Sequence, residues 1–393
     1  MAFKFHRQPQ KTFYLAFSVI YLVLRIPVWI LRNLLPAWRP RRQWSFGRSL
    51  LVEFINAATA IMLQTSLPAP EPLEKMSLSA SKTGFVWVEP APHLIAGDVQ
   101  RFAELNGVKP AKTGGFWYSR PSEHPHGHKA SPGEKVVYHL HGGGFVMGSG
   151  SPSFSPSAVM FKGLLEHVPQ FSRIFAMEYR LAVGPPFPTA NPFPAALIDV
   201  ISGYRYLVEE VGFEPNNIII AGDSAGAILA YQLTRHLAIE DFPNLCNAGA
   251  LLLLSPSADS ALRRNIDSMR QNTRSDYVTT WFDAAYGVNA LLGSLSSDEL
   301  DKPWLSPGSI MFEDAAVKGM FERFPPTFIL AGEAEMSRDS MRILRDRMKA
   351  DMGDKVTYVE VANAPHDFLG LTILEPERTE ALREIAKWAA SLV

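Results

Sequence analysis

Ser224 stands at the centre of the pentapeptide Gly222-Asp223-Ser224-Ala225-Gly226, a pattern that exposes a hydroxyl for nucleophilic attack when a strand precedes it and a helix follows. Both are readable here. Ile218 to Ala221 is β-branched and apolar, as a strand buried on both faces must be, and Ala225 to His236 has helical composition without proline. The two glycines lack Cβ atoms, so the chain can pass close to itself and the turn can thrust the serine out at the strand's end. The helix beyond aims its first N–H groups at any oxygen that approaches the hydroxyl.

A second motif supplies the complementary chemistry. Glu134 to Leu140 alternates as a strand and runs into His141-Gly142-Gly143-Gly144-Phe145. A rigid glycine turn presents bare backbone N–H groups, and acyl transfer develops charge on a carbonyl oxygen that such donors stabilise in advance. One donor is typically worth about 2.7 to 4 kcal/mol. The N–H groups of Gly143, Gly144 and Ala225 are the candidates for this oxyanion hole, while His141 holds the loop.

The pair His-Gly-Gly-Gly-Phe and Gly-Asp-Ser-Ala-Gly resembles the hormone-sensitive-lipase branch of the α/β-hydrolases, a group of serine esterases and lipases. Between them, Tyr179-Arg180-Leu181-Ala182 and Phe193-Pro194-Ala195-Ala196-Leu197-Ile198-Asp199 are similar to the family's stretches in the same order. The resemblance covers roughly residues 130 to 390 and departs from the family at Val183-Gly184-Pro185-Pro186, where a proline-glutamate turn is usual. It implies a mostly parallel central sheet with helices on both faces and a helical cap.

Chain order in that fold is serine, acid, histidine. Downstream of Ser224 only His236 and His366 remain; His236 reads as a surface residue of the helix, whereas His366 follows the strand Val356 to Val361 in a loop. His366 is therefore the expected base, and its His-x-Phe form again resembles the family. For the acid, the loop after the strand Pro326 to Ala331 offers Glu333, Glu335 and Asp339. The family's acid has a second aspartate four positions on, and aligning Asp339 with that aspartate puts Glu335 in the acid's place. Asp339 is the second choice and otherwise caps the helix Ser340 to Ala350; Glu333 is third.

Composition narrows the class. The chain has 393 residues, suited to a catalytic α/β unit with a cap and an N-terminal extension, and a formal net charge of −1 that gives no reason to expect nucleic acid. The single cysteine, Cys246, has no disulfide partner within the chain and reads as a small buried apolar residue. No cysteine or histidine cluster has metal-ligand spacing, and no cofactor is implied. His124, His126 and His128 lie in a polar surface loop, 121–132.

The first forty-odd residues differ from the rest. Phe13 to Leu31 is almost continuously apolar and of spanning length, interrupted by Arg25 and Pro27, and is followed by Trp38, Arg39, Arg41, Arg42 and Trp44. The expected organisation is a membrane anchor with a basic and aromatic border over 1–45, a cap segment with the first edge strands over 46–120, and a catalytic domain over 121–393. The last carries a cap insertion at about 257–305, where Ala261, Leu262, Met269, Tyr277, Trp281, Phe282 and Tyr286 mostly pack the cap on itself. The anchor is single-pass or interfacial. Charge bias favours a cytosolic catalytic domain, with the endoplasmic reticulum as the expected address.

The N-terminal pattern resembles fungal members of the family, including steryl acetyl hydrolases and hydrolases of secondary-metabolite pathways. The expected activity is hydrolysis of a lipophilic short-chain ester through an acyl-enzyme. An acyltransferase with the same serine, and a non-catalytic receptor that has lost the histidine, are the alternatives.

Overall fold

The computed structural model describes residues 2–120, 128–243, 245–261 and 266–392. Eight strands, β1 (Phe85–Val88), β2 (Thr113–Ser119), β3 (Val136–Leu140), β4 (Arg173–Glu178), β5 (Ile218–Asp223), β6 (Ala250–Leu254), β7 (Thr327–Gly332) and β8 (Val356–Val361), form one sheet in the order β1-β2-β4-β3-β5-β6-β7-β8. β2 runs antiparallel to both its neighbours and every other pair is parallel. The period-2 alternation of a strand divides each apolar run between two cores. Ile218 and Ile220 of β5 join one, with Leu251 and Leu253 of β6; Ile219 and Ala221 join the other, with Leu252 and Leu254. Helices cover both faces, so the central strands carry almost no polar residue.

Four helices bear on the catalytic edge of the sheet and its approach. α1 (Gln10–Asn33) and α2 (Phe46–Thr65) precede the sheet, α3 (Ala225–Ile239) follows β5, and α4 (Arg338–Met352) follows β7. α1 and α2 are both long and apolar enough to cross a membrane by length and composition. α1 continues through Pro27 without a break.

Two expectations fail on burial. His236 is not a surface residue: it faces inward from α3 and its Nε2 meets the Leu94 carbonyl at 2.9 Å, because the segment before β2 folds over that helix. Cys246 is exposed rather than buried, since it lies in the loop leading to β6. His128 is exposed, while His124, His126 and Leu262 lie outside the described residues.

Candidate active site

The parallel strands all end at one edge of the sheet, and open α/β sheets place ligands beyond those carboxyl ends. The glycine loop leaves β3, Ser224 leaves β5, Glu335 follows β7 and His366 follows β8. Four segments far apart in sequence thus converge because their strands are neighbours.

Ser224 has φ 52° and ψ −116°, a left-handed conformation that L residues rarely adopt and that costs on the order of 1–3 kcal/mol. The turn holds because Gly226 presses against the backbone carbonyls of Leu140 and His141, leaving no room for a Cβ. The strain aims the Ser224 Oγ at the Nε2 of His366, 2.8 Å away. On the far side of the imidazole, Nδ1 lies 2.7 Å from Glu335 Oε2. A carboxylate only accepts, so Nδ1 carries the proton and Nε2 is left to accept from the serine. Glu335 is fully buried; its Oε1 accepts from the Ser255 hydroxyl at 2.8 Å and the Gly332 N–H at 2.6 Å. Those two bonds fix the carboxylate before it meets the histidine.

The other two carboxylates are committed elsewhere. Asp339 accepts from the Ser268 N–H at 2.8 Å and pairs with Arg338 at 2.9 Å and Arg342 at 3.3 Å. Burial works against its charge, but these partners hold its carboxyl below the ordinary range. It does not cap α4 as expected, because the helix begins two residues earlier, at Arg338, and Ser337 occupies the N-cap position. Glu333 accepts from the Asn363 N–H at 3.0 Å and pairs with Arg41 at 3.5 Å.

Gly143 and Gly144 lie at φ 111° and 62° and line the cavity above Ser224, a turn only glycine makes without strain. Ala225 is the first residue of α3, where backbone N–H groups have no helical acceptor. His141 sits beneath the loop, its Nδ1 2.8 Å from the Gly142 carbonyl and its ring stacked on Tyr179 at 4.2 Å. Burial pushes its pKa down to about 4, so it is a neutral strut at pH 7.

The cavity is about 370 Å³ and mostly apolar. Tyr277, Trp281 and Phe282 form part of its wall, whereas Met269 and Tyr286 pack into small clusters of the 257–305 segment, so the aromatic residues divide between lining and packing. α2 contributes Ile55, Thr59 and Met62 from the opposite side.

Sequence reasoning missed the acidic surroundings of the histidine. Asp367 Oδ2 lies 3.3 Å from the same Nε2 that faces Ser224, and Asp223, Asp276 and Tyr277 complete the groups acting on the pair. The place of Asp367, one residue after His366, was the available signal. Burial raises the Asp367 carboxyl well above its ordinary range, and Asp223, Glu335 and Asp276 raise it further. For His366, burial opposes the cation, but Asp367 first and Glu335 next outweigh it, so its pKa is also raised. A carboxylate beside Nε2 favours the imidazolium, so Nε2 accepts from Ser224 only once that cation has lost its proton. Activity should therefore rise with pH through a limb above the ordinary histidine value of about 6.5. Asp367→Asn should move the acid limb of the kcat/KM–pH profile to lower pH, each unit giving about tenfold more free base below it. An unmoved limb would remove Asp367 from this role.

A family model described as the alpha/beta hydrolase fold matches residues 137–370, more than half of the chain. The chain belongs to the α/β-hydrolase-fold family. This α/β-hydrolase is 28% identical to an esterase of Acinetobacter venetianus over 261 residues, which cover 66% of the chain and 75% of that relative. It is 26% identical to an acetyl-hydrolase of Streptomyces hygroscopicus over 226 residues, covering 58% of the chain and 65% of the relative, just under two thirds of its length. The crystal structure of an esterase from the bacterial hormone-sensitive lipase family superposes with a TM-score of 0.59 at 21% identity, covering 89% of the chain and 99% of the esterase, which speaks to the fold alone. As the sequence predicts, this α/β-hydrolase is an enzyme of the serine-hydrolase class, similar to esterases. A receptor that has lost its histidine is not what the geometry favours, since His366 Nε2 lies 2.8 Å from Ser224 Oγ.

Proposed function

We propose that the protein cleaves lipophilic carboxylic esters with a short, acetyl-like acyl group through an acyl-enzyme on Ser224. The observation that carries this reading is the unbroken line from Ser224 Oγ through His366 to Glu335, opening into an apolar cavity. Ser224 attacks the ester carbonyl as its proton passes to His366 Nε2. The oxyanion is held by the N–H groups of Gly143, Gly144 and Ala225, and Glu335 balances the imidazolium. Collapse of the intermediate breaks the C–O bond, with His366 returning the proton to the departing alcohol. Water, deprotonated by the same nitrogen, then releases the acid and restores Ser224.

The acyl preference is supported by the acetyl-hydrolase relative, and the lipophilic alcohol by the apolar cavity walls. The resemblance of the N-terminal pattern to fungal steryl acetyl and secondary-metabolite hydrolases supports the same substrate class. We read α2 and residues 257–305 as a cap over Ser224, and residues 1–45 as a membrane attachment, with a catalytic body in the cytosol at the endoplasmic reticulum. Acyl-chain profiling of the full chain with p-nitrophenyl esters tests the activity: acetate and butyrate should be cleaved faster than long-chain esters. If no chain length is turned over, the hydrolase reading fails.

A further inference from the structure

Both ends of α1 are fastened to the catalytic body. Before the helix, the Phe3 and Phe5 N–H groups donate to the Leu63 and Gln64 carbonyls at 2.6 and 2.8 Å, and the Phe3 ring packs edge-on against Tyr286. After it, Arg41 donates to Asn272 at 2.7 Å and to the Glu333 carbonyl at 3.1 Å, and the Trp44 indole donates to the Asn363 carbonyl at 2.8 Å. A helix of 24 residues is about 36 Å long at ~1.5 Å per residue. A helix crossing a bilayer would carry one of its ends to the opposite side, away from the body that both ends touch.

The faces of α1 are inverted relative to a soluble helix. Lys11, Ser18, Arg25, Trp29 and Asn33 recur at spacings of seven and four and form the half-buried to buried stripe. Lys11 Nζ reaches Ser66 Oγ, just past the end of α2, at 2.8 Å, and Arg32 lies 3.8 Å from Glu53 near its start, so the helices run antiparallel along their length. Arg25 is spent within the stripe, 2.9 Å from the Tyr21 hydroxyl and over the Trp29 ring. What faces outward is Phe13, Phe17, Ile20, Val23, Leu24 and Leu31, all exposed. The 52 residues before Glu53 hold nine Lys and Arg and no acidic residue, among them the exposed Lys4, Arg7 and Arg42 that flank the helix.

We propose that α1 lies in the plane of an anionic lipid surface without crossing it, its outward face among the acyl chains and its flanking cations on the headgroups. Apolar area supplies the binding and basic residues the attraction to negative lipid, as in other interfacial helices. α2, which α1 covers, forms the cavity wall through Ile55, Thr59 and Met62. An ester dissolved in the bilayer is therefore one helix away from Ser224, a route that rests on the function proposed above, although the placement of α1 does not.

The test uses the full chain in sealed microsomes, with Cys246→Ser as background and single cysteines at Gln8→Cys or Gln43→Cys, and a membrane-impermeant maleimide. Both positions should show the same sidedness as Cys246 in the unaltered chain; opposite sidedness of Gln8 and Gln43 means a crossing helix and overturns the proposal. A polarity-sensitive dye on Leu24→Cys should blue-shift with vesicles of phosphatidylcholine and phosphatidylserine. No shift, with a dimer by light scattering, assigns the face to a second copy instead and also overturns it. Leu24→Glu with Leu31→Glu should lower hydrolysis of a vesicle-borne ester by about tenfold or more, with p-nitrophenyl acetate cleaved near the unaltered rate. Loss of p-nitrophenyl acetate cleavage by the unaltered chain would sink the esterase reading while leaving the sidedness result standing.

Discussion

Ser224→Ala is expected to abolish turnover of p-nitrophenyl acetate and covalent labelling by a fluorophosphonate, with the folded state retained. The loss in kcat should be on the order of 10⁵- to 10⁶-fold, because removing the nucleophile disables the whole relay rather than one member of it. The residual rate would come from oxyanion donors and binding alone. Alanine suits the site sterically, since it is smaller than serine and removes only an oxygen that meets His366 at 2.8 Å and the Ser257 hydroxyl at 3.3 Å among the described residues. Alanine inherits the φ of 52°, so its melting temperature should stay close to that of the unaltered enzyme. A variant that still takes the label would place the nucleophile elsewhere, with Ser257 the neighbour to examine.

Glu335→Gln is the second large effect, about 10⁴-fold in kcat with little change in KM. The amide keeps the volume and can still accept from Ser255 and the Gly332 N–H, so the damage is confined to the histidine. An amide that turns its NH₂ toward Nδ1 selects the tautomer whose proton sits on Nε2, and that tautomer cannot accept from Ser224. Asp339→Asn, by contrast, should leave kcat within about threefold, because its partners are Ser268, Arg338 and Arg342 rather than the imidazole. The reverse outcome, a dead Asp339 variant beside an active Glu335 variant, would overturn the assignment of the acid.

The sheet was readable because its central strands are buried on both faces, so their sequences are nearly pure apolar runs, and β5 and β6 needed no context to be recognised. The serine turn and glycine loop were readable because each backbone conformation demands particular residue types. The acid was less so: any of three carboxylates after β7 has the right chemistry, and only three-dimensional placement distinguishes the one that Ser255 and Gly332 orient. Burial at His236 and exposure at Cys246 depend on which distant segment covers a surface, and neither helix composition nor residue type encodes that. Asp367 escaped notice for a related reason, since a carboxylate after a loop histidine acquires meaning only once it is seen to lie against the imidazole nitrogen that faces Ser224.

The attachment of Trp44 and Arg48 to the Asn363 carbonyl, three residues before His366, has a practical consequence. Shortening the chain past α1 and its border is the obvious way to obtain a water-soluble preparation. It would also withdraw the indole that sits against Val52 and Ala334 and the guanidinium that joins Asn272 to Glu333. The loop bearing His366 would keep Arg48 but lose the Trp44 splint, and kinetics measured on such a trimmed enzyme would describe a looser site than the one the full chain makes.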